Sequence, residues 1–86
     1  MSVSELSKIP EECSADKNLF LDIYKNLQLS EDMEATDTEG WSYDATATYK
    51  GKEYYVYLSV YAEMMNGDSF EIQAAKDIYK ELTQKQ

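Results

Sequence analysis

The chain has 86 residues, enough for one domain over 1–86 with a modest core, and it carries 17 acidic residues against 8 lysines for a formal net charge of −9. It has no histidine, which removes the commonest general base near neutral pH and the commonest metal ligand, and no arginine, which removes the bidentate clamp for phosphates. Its single cysteine, Cys13, excludes an intramolecular disulfide and a multi-cysteine zinc site.

The opening stretch, MSVSELSKIPEECSADK, lacks the basic start and apolar run of an export signal. No apolar run approaches the ~20 residues that span a bilayer, so a cytoplasmic location is expected. Pro10 separates a short upstream turn at 4–9 from the first clear helix. Leu19, Phe20, Ile23, Tyr24 and Leu27 recur at the spacing of one helix face, with Asp22, Lys25, Asn26 and Gln28 on the other. This predicts a helix over about 16–29, capped by Ser14 or Asp16, whose side-chain oxygens can accept a first-turn N–H.

Residues 30–40, SEDMEATDTEG, carry Glu31, Asp32, Glu34, Asp37 and Glu39 and no base. Met33 and Ala35 alternate, so the segment reads as a short edge strand or a loop. Charge on an edge strand discourages pairing between sheets.

The middle of the chain has a period of two. Trp41, Tyr43, Ala45, Ala47 and Tyr49 alternate with Ser42, Asp44, Thr46 and Thr48. Over 52–62, Tyr54, Val56, Leu58, Val60 and Ala62 alternate with Glu53, Tyr55, Tyr57, Ser59 and Tyr61. Lys50 and Gly51 between them suit a two-residue hairpin turn. That turn pairs Tyr49 with Lys52 and, step by step, Trp41 with Val60, so apolar residues meet apolar residues. A slip by one would set Asp44 and the threonines against the valines. The opposite face then pairs Ser42 with Ser59, Asp44 with Tyr57, Thr46 with Tyr55 and Thr48 with Glu53. With helices over the Trp41/Val56/Leu58 face, Tyr55, Tyr57 and Tyr61 form an exposed row beside Asp44. The alternative is that the N-terminal segment partly covers that row.

Residues 63–69, EMMNGDS, read as a connection with a turn at Asn66 and Gly67. Asp68 is the expected cap of a last helix, with Glu71 completing a capping-box pattern, and Met64 and Met65 are expected to pack at its start, the alternative being adaptable contact residues. Phe70, Ala74, Ala75, Ile78, Tyr79 and Leu82 line one face of that helix, predicted over 69–83. The order α-β-β-β-α predicts an α+β fold. A two- or three-stranded antiparallel sheet carries an N-terminal and a C-terminal helix on one face.

No catalytic, cofactor or metal residue is expected. Glu11–Glu12 and Glu31–Asp32 are adjacent carboxylate pairs that nothing in the sequence places in a pocket. Residues 31–40 lack the ligand spacing of a calcium loop, and a serine triad needs a histidine. The helix–strands–helix order is similar to the double-stranded RNA-binding fold in topology alone. The charge opposes both nucleic acid and anionic membranes as direct partners.

Size and acidic composition resemble those of phage-encoded inhibitors, the anti-CRISPR proteins and DNA-mimic inhibitors. The resemblance implies a non-catalytic protein that blocks a nucleic-acid-handling protein, such as a CRISPR–Cas effector, by occupying its basic surface in the host cytoplasm. On this reading Glu31, Asp32, Glu34, Asp37, Glu39 and Asp44 are the charge contacts, and Tyr55, Tyr57 and Tyr61 the aromatic anchors. Two other readings stand beside it. One is an immunity or antitoxin-like protein neutralising a basic toxin. The other is a non-catalytic adaptor or homodimeric structural subunit, so both monomer and homodimer remain open.

Overall fold

The computed structural model describes residues 9–84. A 3-10 segment, Glu11–Asp16, leads into α1 (Lys17–Asn26), followed by β1 (Gln28–Leu29), β2 (Glu34–Ala35), β3 (Ser42–Tyr49) and β4 (Lys52–Ser59), then α2 (Val60–Asn66) and α3 (Phe70–Gln84). This is the expected α+β fold, an antiparallel sheet with helices at both ends of the chain, but the sheet has four strands where two or three were expected. The predicted turn at 4–9 lies, apart from Ile9, outside the described residues.

β3 is the centre of the sheet. It pairs along its whole length with β4 in the register Tyr49↔Lys52, Ala47↔Tyr54, Ala45↔Val56 and Tyr43↔Leu58. Lys50 and Gly51 both adopt positive φ, 53° and 77°, the two left-handed residues that a twist-matched two-residue hairpin requires. The other edge of β3 is shared by two short pieces. β1 sits beside Ala47 and Thr48, and β2 beside Tyr43 and Asp44.

One face of the sheet is buried. Ala45, Ala47, Tyr49, Tyr54, Val56 and Leu58 meet Phe20 and Ile23 of α1, and Ala74, Ala75, Ile78 and Tyr79 of α3. Full burial of a side chain such as Leu58, Phe20 or Ile78 stabilises by about 1.5–3 kcal/mol relative to leaving it exposed. Cys13 lies in the same cluster. Asp16 caps α1, its Oδ1 accepting the Leu19 N–H at 3.1 Å. Tyr79 ties the two ends of the chain together, since its hydroxyl accepts the Asp16 N–H at 3.2 Å.

Four details depart from the sequence reading. The first helix ends at Asn26, because Leu27 turns extended (ψ 154°) while its N–H still reaches the Ile23 carbonyl. Gln28 and Leu29 are thereby released to pair with β3. The second strand ends at Ser59 rather than Ala62. Ser59 Oγ accepts the Ala62 N–H at 3.1 Å and starts α2, which Gly67 closes in the left-handed conformation at φ 74°. The Asn66–Gly67 signal is therefore a helix end, and Met64 and Met65 project outward instead of packing at the start of α3. Finally, Ser69 caps α3 in place of Asp68, its Oγ accepting the Ile72 N–H at 3.2 Å.

Candidate functional site

Among the described residues nothing covers the sheet face away from the helices; most of the N-terminal segment weighed as its cover lies outside them. From Asp44 onward the side chains of β3 and β4 alternate, so Asp44, Thr48, Glu53, Tyr55 and Tyr57 are all exposed, while Ser42 at the start of β3 is buried. Tyr55 is 90% exposed and Tyr57 55%. The pairing assembles cross-strand rows from these residues. Glu34 of β2 lies opposite Asp44 of β3, and Asp44 lies opposite Tyr57 of β4. The next row along β3 joins Thr46 to Tyr55, and the one after joins Gln28, Thr48 and Glu53. Adjacent strands are about 4.8 Å apart, so each row places its side chains within direct reach of one another.

The split edge gives this face its relief. Between Leu29↔Ala47 and Glu34↔Asp44 the edge chain spends four residues, Ser30 to Met33, against only two of β3, Ala45 and Thr46. The surplus loops out. Ser30 holds the loop at both ends, its N–H bonding the Thr46 carbonyl at 2.9 Å and its Oγ accepting the Asp32 N–H at 3.0 Å. A hollow forms on the open face where the edge pulls away. Asp32, Glu34, Asp44 and Glu53 surround it, together with Ser30, Ala45, Thr46 and Tyr55.

Glu34 opposite Asp44 is a like-charge pair in direct cross-strand register, an arrangement that destabilises a sheet. Among the described residues no lysine lines the hollow. Three lysines are engaged elsewhere. Lys50 Nζ lies 3.9 Å from Asp22 and over the Tyr49 ring, and Lys52 Nζ is 5.2 Å from the Tyr54 ring centroid. Lys76 bridges Glu12 at 3.6 Å and Asp68 at 3.9 Å.

The nine residues singled out from sequence separate into groups. Asp32, Glu34, Asp44 and Tyr55 share the hollow, and Tyr57 flanks it across the strand from Asp44. Glu31 and Glu39 are exposed but do not line it. Asp37 serves the fold instead, since its Oδ1 accepts the N–H groups of Gly40 at 2.7 Å and Trp41 at 3.0 Å and so closes the loop between β2 and β3. Tyr61 is exposed but belongs to α2, so the predicted row of three tyrosines on one strand is a row of two. Glu53 belongs to the hollow and was missing from that set, although its place in the alternation puts it on this face. Trp41, expected on the covered face, precedes β3 and is exposed.

α3 fixes β4 from its unpaired side. Gln73 Oε1 accepts the Ser59 N–H at 2.7 Å and its Nε2 donates to the Ser59 carbonyl at 3.0 Å. Asp77, one turn on, accepts the Tyr57 N–H at 2.8 Å. Burial raises the Asp77 pKa above the ordinary aspartate value, against the opposing effects of that N–H and of Lys80 and Lys76. The residue pair thus occupies the edge that would otherwise template another strand, and it anchors the strand bearing Tyr55 and Tyr57.

Two other titratable groups are held on the helix side. Burial pushes the Cys13 thiol up to about 11, with the charge of Glu12 adding to the effect, so it stays protonated and is a poor nucleophile. Burial likewise pushes the Tyr49 hydroxyl up to about 12, helped by its hydrogen bond to Asp22. Among the described residues no group of three histidine, cysteine, aspartate or glutamate side chains is placed to hold a metal ion. No helix among them is long and apolar enough to cross a membrane.

Comparison with protein-family models, with curated proteins and with solved structures finds no match for the chain.

Proposed function

We propose that the protein is a small acidic inhibitor that occupies the basic nucleic-acid-binding surface of a nucleic-acid-handling protein, such as a CRISPR–Cas effector. The observation that carries this reading is the carboxylate group of the open face, with Glu34 set directly against Asp44 and Asp32 and Glu53 beside them. A cationic surface docked there relieves the repulsion, and the net charge of −9 steers the encounter. Tyr55 and Tyr57 supply rigid contact area of the kind that anchors interfaces. The contact acids on this reading are Asp32, Glu34, Asp44 and Glu53, with Glu31 and Glu39 contributing at longer range.

The test is capture of a target from bacterial lysate by the immobilised protein, with salt and then duplex DNA as eluants. The expected target is a nucleic-acid-binding protein released by either eluant and lost with Glu34→Lys/Asp44→Lys. Capture that survives both the charge reversal and high salt would contradict the reading.

A second reading, an adaptor or self-associating subunit, draws on α2. This helix buries none of its side chains and exposes Tyr61, Met64 and Met65. Its mark is a solution mass of two chains that falls to one with Met64→Ser/Met65→Ser. An antitoxin-like protein relies on the same acidic face and differs only in target, which the same capture experiment identifies.

A further inference from the structure

We infer that the open sheet face selects arginine over lysine in its partner, through a guanidinium that stacks on Tyr57 or Tyr55 while donating to the carboxylates across the strands. The inference rests on the reading of the partner as cationic and adds the identity of the cation.

Charge complementarity fixes the sign of the occupant. The carboxylates of Asp32, Glu34, Asp44 and Glu53 converge on this face. Lys50, Lys52 and Lys76 are engaged with other groups. Polyanions are repelled, so the exposed rings do not serve to stack nucleic-acid bases.

The tyrosines fix the kind of cation. Tyr57 is directly opposite Asp44, and Asp44 directly opposite Glu34, in one row across three strands. A planar guanidinium stacked on the Tyr57 ring keeps its N–H edge free to donate to the carboxylates of that row, Asp44 being the neighbour directly across. Arginine can make the ring contact and the forked hydrogen bonds at once, because the two use different parts of the group. An ammonium is a compact, strongly hydrated charge that gains from the carboxylates but has no plane to stack. Tyr55 provides a second ring on the same face, about 6.8 Å along the strand. The face therefore fits a segment with at least two arginines.

The experiment compares two ten-residue peptides of equal charge, one of Gly-Arg repeats and one of Gly-Lys repeats. Each is titrated into the isotope-labelled protein and followed by NMR. The Gly-Arg peptide is expected to bind at least about fivefold tighter, with the largest shifts at Asp44, Thr46, Tyr55 and Tyr57. Tyr55→Leu/Tyr57→Leu changes only exposed rings, and an unchanged thermal unfolding curve confirms that it folds. In that variant the two peptides are expected to bind within about twofold of each other. Equal binding of both peptides at this face of the wild type overturns arginine selection and leaves the cationic-partner reading intact. An arginine preference that persists in the leucine variant also overturns the inference, since the rings are then not the selector. Absence of shifts at this face with either peptide defeats the cationic-partner reading and the inference with it.

Discussion

Leu58 and Tyr57 are consecutive in β4 and live in opposite surroundings. Leu58 is fully buried between the sheet and the helices, whereas the Tyr57 ring stands on the open face across from Asp44. The same contrast runs through the whole hairpin. The covered face carries alanine, valine, leucine and buried tyrosine, and its residues are explained by packing. The open face carries Glu34 against Asp44, a pairing that packing and sheet stability both disfavour. Where a local arrangement opposes the fold without an evident structural gain, a role outside the fold is the natural explanation. The covered face makes the molecule, and on the proposed reading the open face is the one that meets the partner.

The sharpest way to break this division is to substitute the neighbours. Leu58→Ala should lower the unfolding free energy by about 2–5 kcal/mol, through lost transfer energy and the cavity left behind. Tyr57→Ser, one residue away, should change it by no more than about 0.5 kcal/mol. Denaturant titration of both variants measures the contrast. Comparable losses would mean that the open face is part of the core after all.

The unpaired edge of β4 joins the two faces, and Gln73 holds it. Gln73→Ala leaves the Ser59 N–H and carbonyl without their side-chain partner, at a cost of about 1–2 kcal/mol with water replacing part of the loss. The same variant should aggregate faster on heating, because the edge then offers free backbone groups. Light scattering during a thermal ramp reports this directly.

Asp77 sharpens the comparison through pH. Burial raises its folded-state pKa, so the folded protein holds that proton to higher pH than the unfolded chain does. The stability from this group is fully present below the ordinary aspartate range and is lost as pH rises through the raised value. Asp77→Asn keeps an oxygen for the Tyr57 N–H and removes the loss. The variant should be at least as stable as the wild type at pH 7, with any advantage gone below about pH 3. Denaturant titrations across that interval test the sign.

The hairpin was legible because two independent signals agreed. The alternation from Tyr43 to Leu58 and the Lys50–Gly51 turn both demand the observed register, which also puts Asp44 beside Tyr57. α3 was legible from its apolar spacing. α2 was hidden because Val60 and Ala62 continue the alternation of β4, and because Gly67 ends a helix and makes a turn with equal ease. Ser59 followed by Ala62, Glu63, Met64 and Met65, all compatible with a helix, was the signal that favoured the helix. β1 has two residues, too few to show any period. The hollow was illegible for a different reason. It depends on a two-residue slip between β1 and β2, and registers of edge strands this short are set by tertiary contacts such as Ser30 with Thr46, not by a local pattern. Acidic content alone made Asp37 look like Asp32, although one braces a loop and the other faces the hollow.

The central claim is that the open-face acids serve binding and not the fold. Thermal unfolding of the wild type and of Glu34→Gln/Asp44→Asn, each with and without the Gly-Arg peptide, tests both halves at once. Without peptide the variant should melt no lower than the wild type, since removing the like-charge pair is worth about 0.2–1 kcal/mol in its favour. With peptide the wild type should gain more than the variant, which keeps only Asp32 and Glu53 of the four contact acids and so binds more weakly. A variant that melts lower on its own, or that gains as much as the wild type from the peptide, would contradict the account.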